Sequence, residues 1–336
     1  MKKKILVAPI FENKELESLD RTQGLEALAE FAEVRSYDNK NFTGRDAPGV
    51  VAIIANSSLF ERSFYEAAKD LRIIARWGVG YDKVNVDIAT ELGVIITVAP
   101  VHMDAVAEYA IAQWMATLKR LYTLNNLSHK GDFSIIRTHE AQNSTLGLYG
   151  FGRIGQEMAA RAKPLLGPNG RLLVYDFRPD IDDLAHKFGA EVVSSPIELF
   201  QNCDTVSLHV SGDETIVGYK ELCAMRPHAS LINPSRGNLV DDRAVHRAIE
   251  EDRLYYYVVD DPTDGPRAIH TGHPRIICTN HNAGISIESA IRLDQQTFEQ
   301  VTDAVHGKKP QHILNPDVLK HPKVQAFLNQ HKVIEG

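Results

Sequence analysis

Gly150-Phe151-Gly152-Arg153-Ile154-Gly155 sets three glycines at the spacing G-x-G-x-x-G. The first permits a tight turn, the second lets the backbone approach a pyrophosphate, and the third lets a following helix settle closely on the preceding strand. The first turn of such a helix offers unpaired N–H groups to an anion. Asp176 stands twenty-one residues after the third glycine, where an acid can accept hydrogen bonds from both hydroxyls of an adenosine ribose. The pattern reads as a dinucleotide site, and a carboxylate that repels a 2′-phosphate favours NAD over NADP. Arg178, two residues further on, is the one nearby group that could accept a 2′-phosphate. Its plainer reading is an exposed loop arginine.

The motif means most when a strand precedes it and a helix follows, and the apolar pattern supplies both. Residues 144–149 read as a short strand and 154–162 continue at helical spacing. Before the motif, 5–8, 50–55, 71–75 and 94–98 read as buried strands, with helical stretches at 16–32 and 61–68. A long helix is expected from Ala105 to Leu121. After the motif, strands are expected at 172–175, 192–193, 205–210, 230–233, 256–259 and 276–279. Apolar strands alternating with amphipathic helices predict an α/β chain whose parallel sheets are covered on both faces.

Length and composition agree. The 336 residues suit two domains. With 37 basic against 44 acidic residues the formal charge is −7, which argues against nucleic acid as the main partner. A hydrophobic content of 43% with 24% charged residues is enough to fill proper cores. Cys203, Cys223 and Cys278 show no paired short spacing, so neither a disulfide framework nor a metal site is expected. The basic start Met1-Lys2-Lys3-Lys4 runs into an apolar stretch broken by Pro9 and stopped at Glu12, which reads as a first strand rather than a signal peptide. No run is long enough for a membrane helix, and a cytoplasmic location is the expectation.

The blocks around the glycine motif resemble the D-isomer-specific 2-hydroxyacid dehydrogenases. Arg76-Trp77-Gly78-Val79-Gly80-Tyr81-Asp82 is similar to the family's R-x-G-V-G-x-D loop, and Ala105-Val106-Ala107-Glu108 to its V-A-E helix start. Ile232-Asn233-Pro234-Ser235-Arg236-Gly237 resembles its strand ending in an arginine, and Thr279-Asn280-His281-Asn282-Ala283-Gly284 its histidine loop. The resemblance implies two doubly wound, Rossmann-like domains. A substrate domain (1–101) would be completed by the C-terminal segment (287–336), with an NAD-binding domain (102–286) inserted between. It also implies a homodimer, with the helix at Ala105–Leu121 contributing to the subunit contact.

Transferred residue by residue, the resemblance makes Arg236 the carboxylate anchor, a role its planar fork of N–H donors suits. His281 would be the acid–base group, since imidazole titrates near neutral pH. Val79 and Gly80 would hold the substrate carboxylate through backbone N–H groups. Arg76, Trp77, Tyr81 and His102 would flank the substrate, and the Arg76, Trp77 and His102 neighbourhood suggests a polar substrate such as a sugar acid. The cofactor would meet the glycine motif from Gly150 to Gly155, Asp176, the turn His209-Val210-Ser211, and Pro234, Ser235 and Ala283. Asp260 would face the nicotinamide carboxamide. Ser211 stands where the family's turn has proline.

One departure is larger. In the family a glutamate, five residues after the aspartate matched by Asp260 and just before a proline, hydrogen-bonds the histidine. Here the segment reads Asp260-Asp261-Pro262-Thr263-Asp264-Gly265-Pro266, so Gly265 occupies that place and Asp264 lies one residue early. Asp264 would reach His281 only if the loop were rearranged. Without a carboxylate neighbour His281 is expected to be a poor proton donor at neutral pH. The leading expectation is an NAD-dependent dehydrogenase of a small (R)-2-hydroxy acid. The alternatives are an NAD enzyme of altered chemistry, acting on another small anion or coupling oxidation to isomerisation, and an NADH-sensing binding protein.

Overall fold

Val50–Ala55 is buried along its whole length, as a strand with helices on both faces must be. The computed structural model describes residues 3–38, 41–212 and 214–332; Met1 and Lys2, at the basic start, lie outside the described residues. The chain divides into two compact units, 1–102 with 286–336, and 103–285.

In the first unit the strands are β1 (Lys4–Val7), β2 (Glu33–Ser36), β3 (Asn41–Phe42), β4 (Val50–Ala55), β5 (Leu59–Phe60), β6 (Ile73–Arg76) and β7 (Ile95–Thr97). Five of them form a parallel sheet in the order β2-β1-β4-β6-β7, and β3 pairs with β5. The helix Leu19–Phe31 starts where the Ser18 side chain accepts the Arg21 N–H. The C-terminal segment is stitched into this unit by buried polar contacts. Asp294, on the helix Ile287–Val305, receives both Arg21 Nε at 2.8 Å and Trp77 Nε1 at 2.7 Å. Thr97 Oγ1 donates to Gln300 Oε1 at 2.8 Å, and the Asn315 carboxamide accepts the Ile96 N–H at 2.9 Å. Buried polar groups satisfied in this way specify a single register.

The second unit carries seven strands: β8 (Thr145–Tyr149), β9 (Arg171–Tyr175), β10 (Glu191–Val192), β11 (Thr205–Leu208), β12 (Ser230–Asn233), β13 (Tyr256–Val259) and β14 (Ile276–Cys278). All are parallel, in the order β10-β9-β8-β11-β12-β13-β14. The order in which strands are added reverses between β8 and β11, the switch point where doubly wound sheets bind ligands. Alternate residues feed opposite faces: Leu173 joins one apolar layer, and Leu172 and Val174 join the other.

The long helix is shorter than the sequence suggests. It runs Met103–Leu118, and a second helix starts at Leu121 after Arg120, whose φ of 49° breaks the first. Its apolar side, Ala107, Ala110, Trp114 and Leu118, is spent in the core of its own unit.

Candidate active site

The glycine turn joins β8 to the helix Arg153–Leu166. Gly150 has φ +95°, and a Cβ there would fall 2.5 Å from the His209 carbonyl oxygen, so only glycine fits. A Cβ on Gly155 would meet the Gly150 carbonyl oxygen at 2.5 Å, which is the close helix-on-strand contact. Gly152 faces open space and caps the helix without a side-chain hydrogen bond, leaving the N–H groups of the first turn for an anion. Arg153 is exposed, Ile154 half-buried, and the Phe151 ring buried.

Asp176 follows β9 directly, beside the turn. Its carboxylate accepts the Phe151 N–H at 2.6 Å and the Arg178 N–H at 3.0 Å. The Arg178 guanidinium is gripped by both oxygens of Asp180, at 2.6 and 2.9 Å. The acid, the open glycine and the uncapped helix fit an adenine dinucleotide. Beneath the turn, His209 Nε2 lies 2.9 Å from Met158 Sδ, and Nδ1 is buried without a partner among the described residues. Burial pushes the His209 pKa down to about 3, so the ring stays neutral. Val210 is half-buried and Ser211 exposed.

The ends of the next three strands form a row. Asn233, Val259 and Cys278 are partners in register on β12, β13 and β14, so the residues just beyond them emerge at the same edge of the sheet. Pro234 is buried, and Ser235 Oγ donates to the Leu208 carbonyl at 2.8 Å. The Asn233 carboxamide holds the Arg236 carbonyl at 2.7 Å, and Arg236 Nη1 donates to the Ser235 carbonyl at 2.8 Å. Asp260 is buried; its carboxylate accepts the N–H groups of Asn282 at 2.8 Å and Ala283 at 2.6 Å and the Thr279 hydroxyl. It pins the loop that carries His281, whose φ of +56° is uncommon for a side-chain-bearing residue.

His281 does have a carboxylate neighbour, and it is neither Gly265 nor Asp264. Nδ1 of His281 lies 3.0 Å from Asp261 Oδ1. The other oxygen of Asp261 accepts the Gly237 N–H at 2.7 Å and sits 3.5 Å from Arg267 Nη2. Asp264 is exposed and faces Arg267 at 3.9 Å. A search at a fixed offset from Asp260 passes over Asp261; the signal was the second acid at the strand end, followed at once by a proline. Arg267, buried one turn further on, was missed because a lone arginine carries no spacing signal.

In the first unit, the Arg76 guanidinium is buried and Nε donates to the Gly80 carbonyl at 2.8 Å, bracing the turn in which Val79 and Gly80 are half-buried. His102 is half-buried, its Cε1 near Gly78. Trp77, expected beside the substrate, packs into the core of its own unit. It is buried, bonded to Asp294 and edge-on to Phe11 at 6.2 Å between centroids.

Fold and cofactor turn together define a dinucleotide-binding α/β protein. The profile described as D-isomer specific 2-hydroxyacid dehydrogenase, NAD binding domain, matches residues 111–283. A glyoxylate reductase of Korarchaeum cryptofilum is 30% identical over 82% of this chain and 85% of its own length. Among solved structures, the apo D-lactate dehydrogenase of Escherichia coli superposes with a TM-score of 0.74, covering 93% of this chain and 99% of that one at 24% identity. A glyoxylate reductase from Paecilomyes thermophila gives 0.77, covering 94% and 99% at 22% identity. The chain belongs to the D-isomer specific 2-hydroxyacid dehydrogenase family. No helix among the described residues is long and apolar enough to cross a membrane.

Proposed function

We propose that this enzyme interconverts a small (R)-2-hydroxy acid and the matching 2-oxo acid, with Arg236 as carboxylate anchor and His281 as acid–base group. The observation that carries the reading is the row of strand ends at which Arg236, Asp260 and His281 follow three residues paired in register. Held at the Gly150–Gly155 turn and by Asp176, NAD would supply the hydride acceptor for oxidation of the hydroxy acid, and its reduced form the donor for the reverse direction.

The chain's own residues handle the charge and the proton. Arg236 presents a permanent, planar cation to the carboxylate and the neighbouring oxygen. With Nδ1 of His281 engaged by Asp261, Nε2 is the nitrogen that gives a proton to the carbonyl oxygen or takes one from the hydroxyl. On the first unit, the Val79 and Gly80 N–H groups and His102 are proposed as substrate contacts, with Arg76 shaping their turn. The glyoxylate reductases among the relatives support an acid of two or three carbons, and the burial of Trp77 leaves Arg76 and His102 as the groups that would favour a sugar acid. A homodimer is proposed through the segment after the long helix, where Leu121, Phe133 and Ile135 are exposed.

Initial rates of NADH oxidation with glyoxylate, pyruvate, hydroxypyruvate and a six-carbon 2-oxo sugar acid test this reading. The short acids are expected to win by at least about tenfold, and a preference for the sugar acid would reverse the size assignment. Arg236→Ala is expected to raise KM by about two orders of magnitude or more. His281→Ala is expected to lower kcat by about 10²–10⁴ with NADH affinity intact. Unchanged turnover in both variants would remove the assigned roles.

A further inference from the structure

We infer that Asp261 is the positioning carboxylate of His281, fixed in place by the Gly237 N–H and the Arg267 guanidinium. The inference rests on the reading of His281 as acid–base group. Neighbouring residues at a strand end point to opposite sides, and the two acids divide the work accordingly. Asp260 spends its carboxylate on Thr279, Asn282 and Ala283, which sets the loop. Asp261 then meets the imidazole that the loop presents, at 3.0 Å.

The surroundings are shaped to hold the pair. Gly265 has φ +51°, where an L side chain is strained, and it opens a short turn, Gly265–His270, that brings Arg267 behind Asp261. A Cβ on Gly237 would lie 2.3 Å from Arg267 Nη1 and 2.6 Å from Asp261 Oδ2, so glycine there makes room for the pair. Arg267 Nη1 also reaches the Asn238 carboxamide oxygen at 3.4 Å. Burial alone would push the Asp261 carboxyl up, but the hydrogen bonds to His281 and Gly237 and the charge of Arg267 outweigh it and hold the group below the usual carboxylate range. Asp261 therefore stays an anion through the working pH range and orients Nδ1. The other titratable groups facing the pair are Asp264, beyond Arg267, and Asp260, next in sequence on the strand end. On the side of the neighbouring strand and helix lie Cys278 and Asp242, which share an electrostatic neighbourhood with Arg267.

The test is the pH dependence of 2-oxo acid reduction, where the rate falls as the histidine loses its proton. In the full-length protein, Asp261→Asn is expected to move that limb to lower pH by about one unit and to cut kcat by at least about tenfold, with NADH affinity within twofold. Arg267→Gln leaves a more basic carboxylate and is expected to move the limb the other way. Asp264→Asn is expected to leave it in place. A purely structural pair would not give shifts of opposite sign. An unmoved limb in Asp261→Asn, with His281→Ala inactive, overturns the assignment of Asp261 while the acid–base reading stands. Full activity in His281→Ala overturns that reading instead. If Asp261→Asn loses NADH binding, the Arg267→Gln profile decides, and a limb that does not rise overturns the inference.

Discussion

The Asp260 carboxylate accepts the Ala283 N–H at 2.6 Å, tying the end of one strand to the loop that leaves the next. With Asn282 and Thr279 on the same carboxylate, the loop's backbone depends on one side chain. Asp260→Ala is expected to cost about 2–3 kcal/mol of local stability. Hydrogen exchange at the Asn282 and Ala283 amides should speed up accordingly, and turnover should fall with it. Unaltered exchange at both amides would show that the loop holds itself.

Gly150→Ala places a methyl group 2.5 Å from the His209 carbonyl at φ +95°. Strain and overlap together should destabilise the 103–285 unit by about 3 kcal/mol or more and abolish NAD binding. Chemical denaturation followed by circular dichroism, with NADH fluorescence titration alongside, reads both effects.

Asp176→Ser removes the charge that opposes a 2′-phosphate and the acceptor of the Phe151 N–H. NADH should bind about tenfold more weakly, a loss of about 1.4 kcal/mol, and the preference over NADPH should shrink. Arg178→Ala in the same background separates the two causes: if NADPH affinity survives it, Arg178 does not serve the phosphate.

Stability should also fall with acid. His209 is neutral when folded, with a pKa of about 3, whereas the unfolded ring takes up a proton near pH 6.5. Between those values the unfolded state binds more protons, so stability drops as pH falls, by up to ~1.4 kcal/mol per pH unit from this group. Denaturant midpoints from pH 7 to 4 should show a shallower decline in His209→Asn than in the wild type. Parallel curves would mean that other groups carry the acid sensitivity.

The parallel sheets were legible because strands such as Val50–Ala55 and Tyr256–Val259 are continuous apolar runs. Glu33–Ser36 was not, because it lies at a sheet edge with two exposed residues and its sequence reads as a polar loop. The glycine turn and Asp176 could be found by spacing, since the cofactor's own dimensions set it. His281's partner could not, because a carboxylate can reach the same nitrogen from more than one backbone position. The bond that holds Trp77 was hidden for a related reason: its neighbours in sequence belong to a turn, while its indole N–H is taken by Asp294, more than two hundred residues away.

That distance bears on synthesis. Arg21 and Trp77 wait for the carboxylate they share until Asp294 leaves the ribosome, whereas the 103–285 unit is by then complete in sequence. At about 5–20 residues per second the first hundred residues wait roughly 10–40 seconds with an unfinished core. The middle of the chain is free to mature first, while the amino-terminal part spends that interval with apolar surface that residues 286–336 later cover.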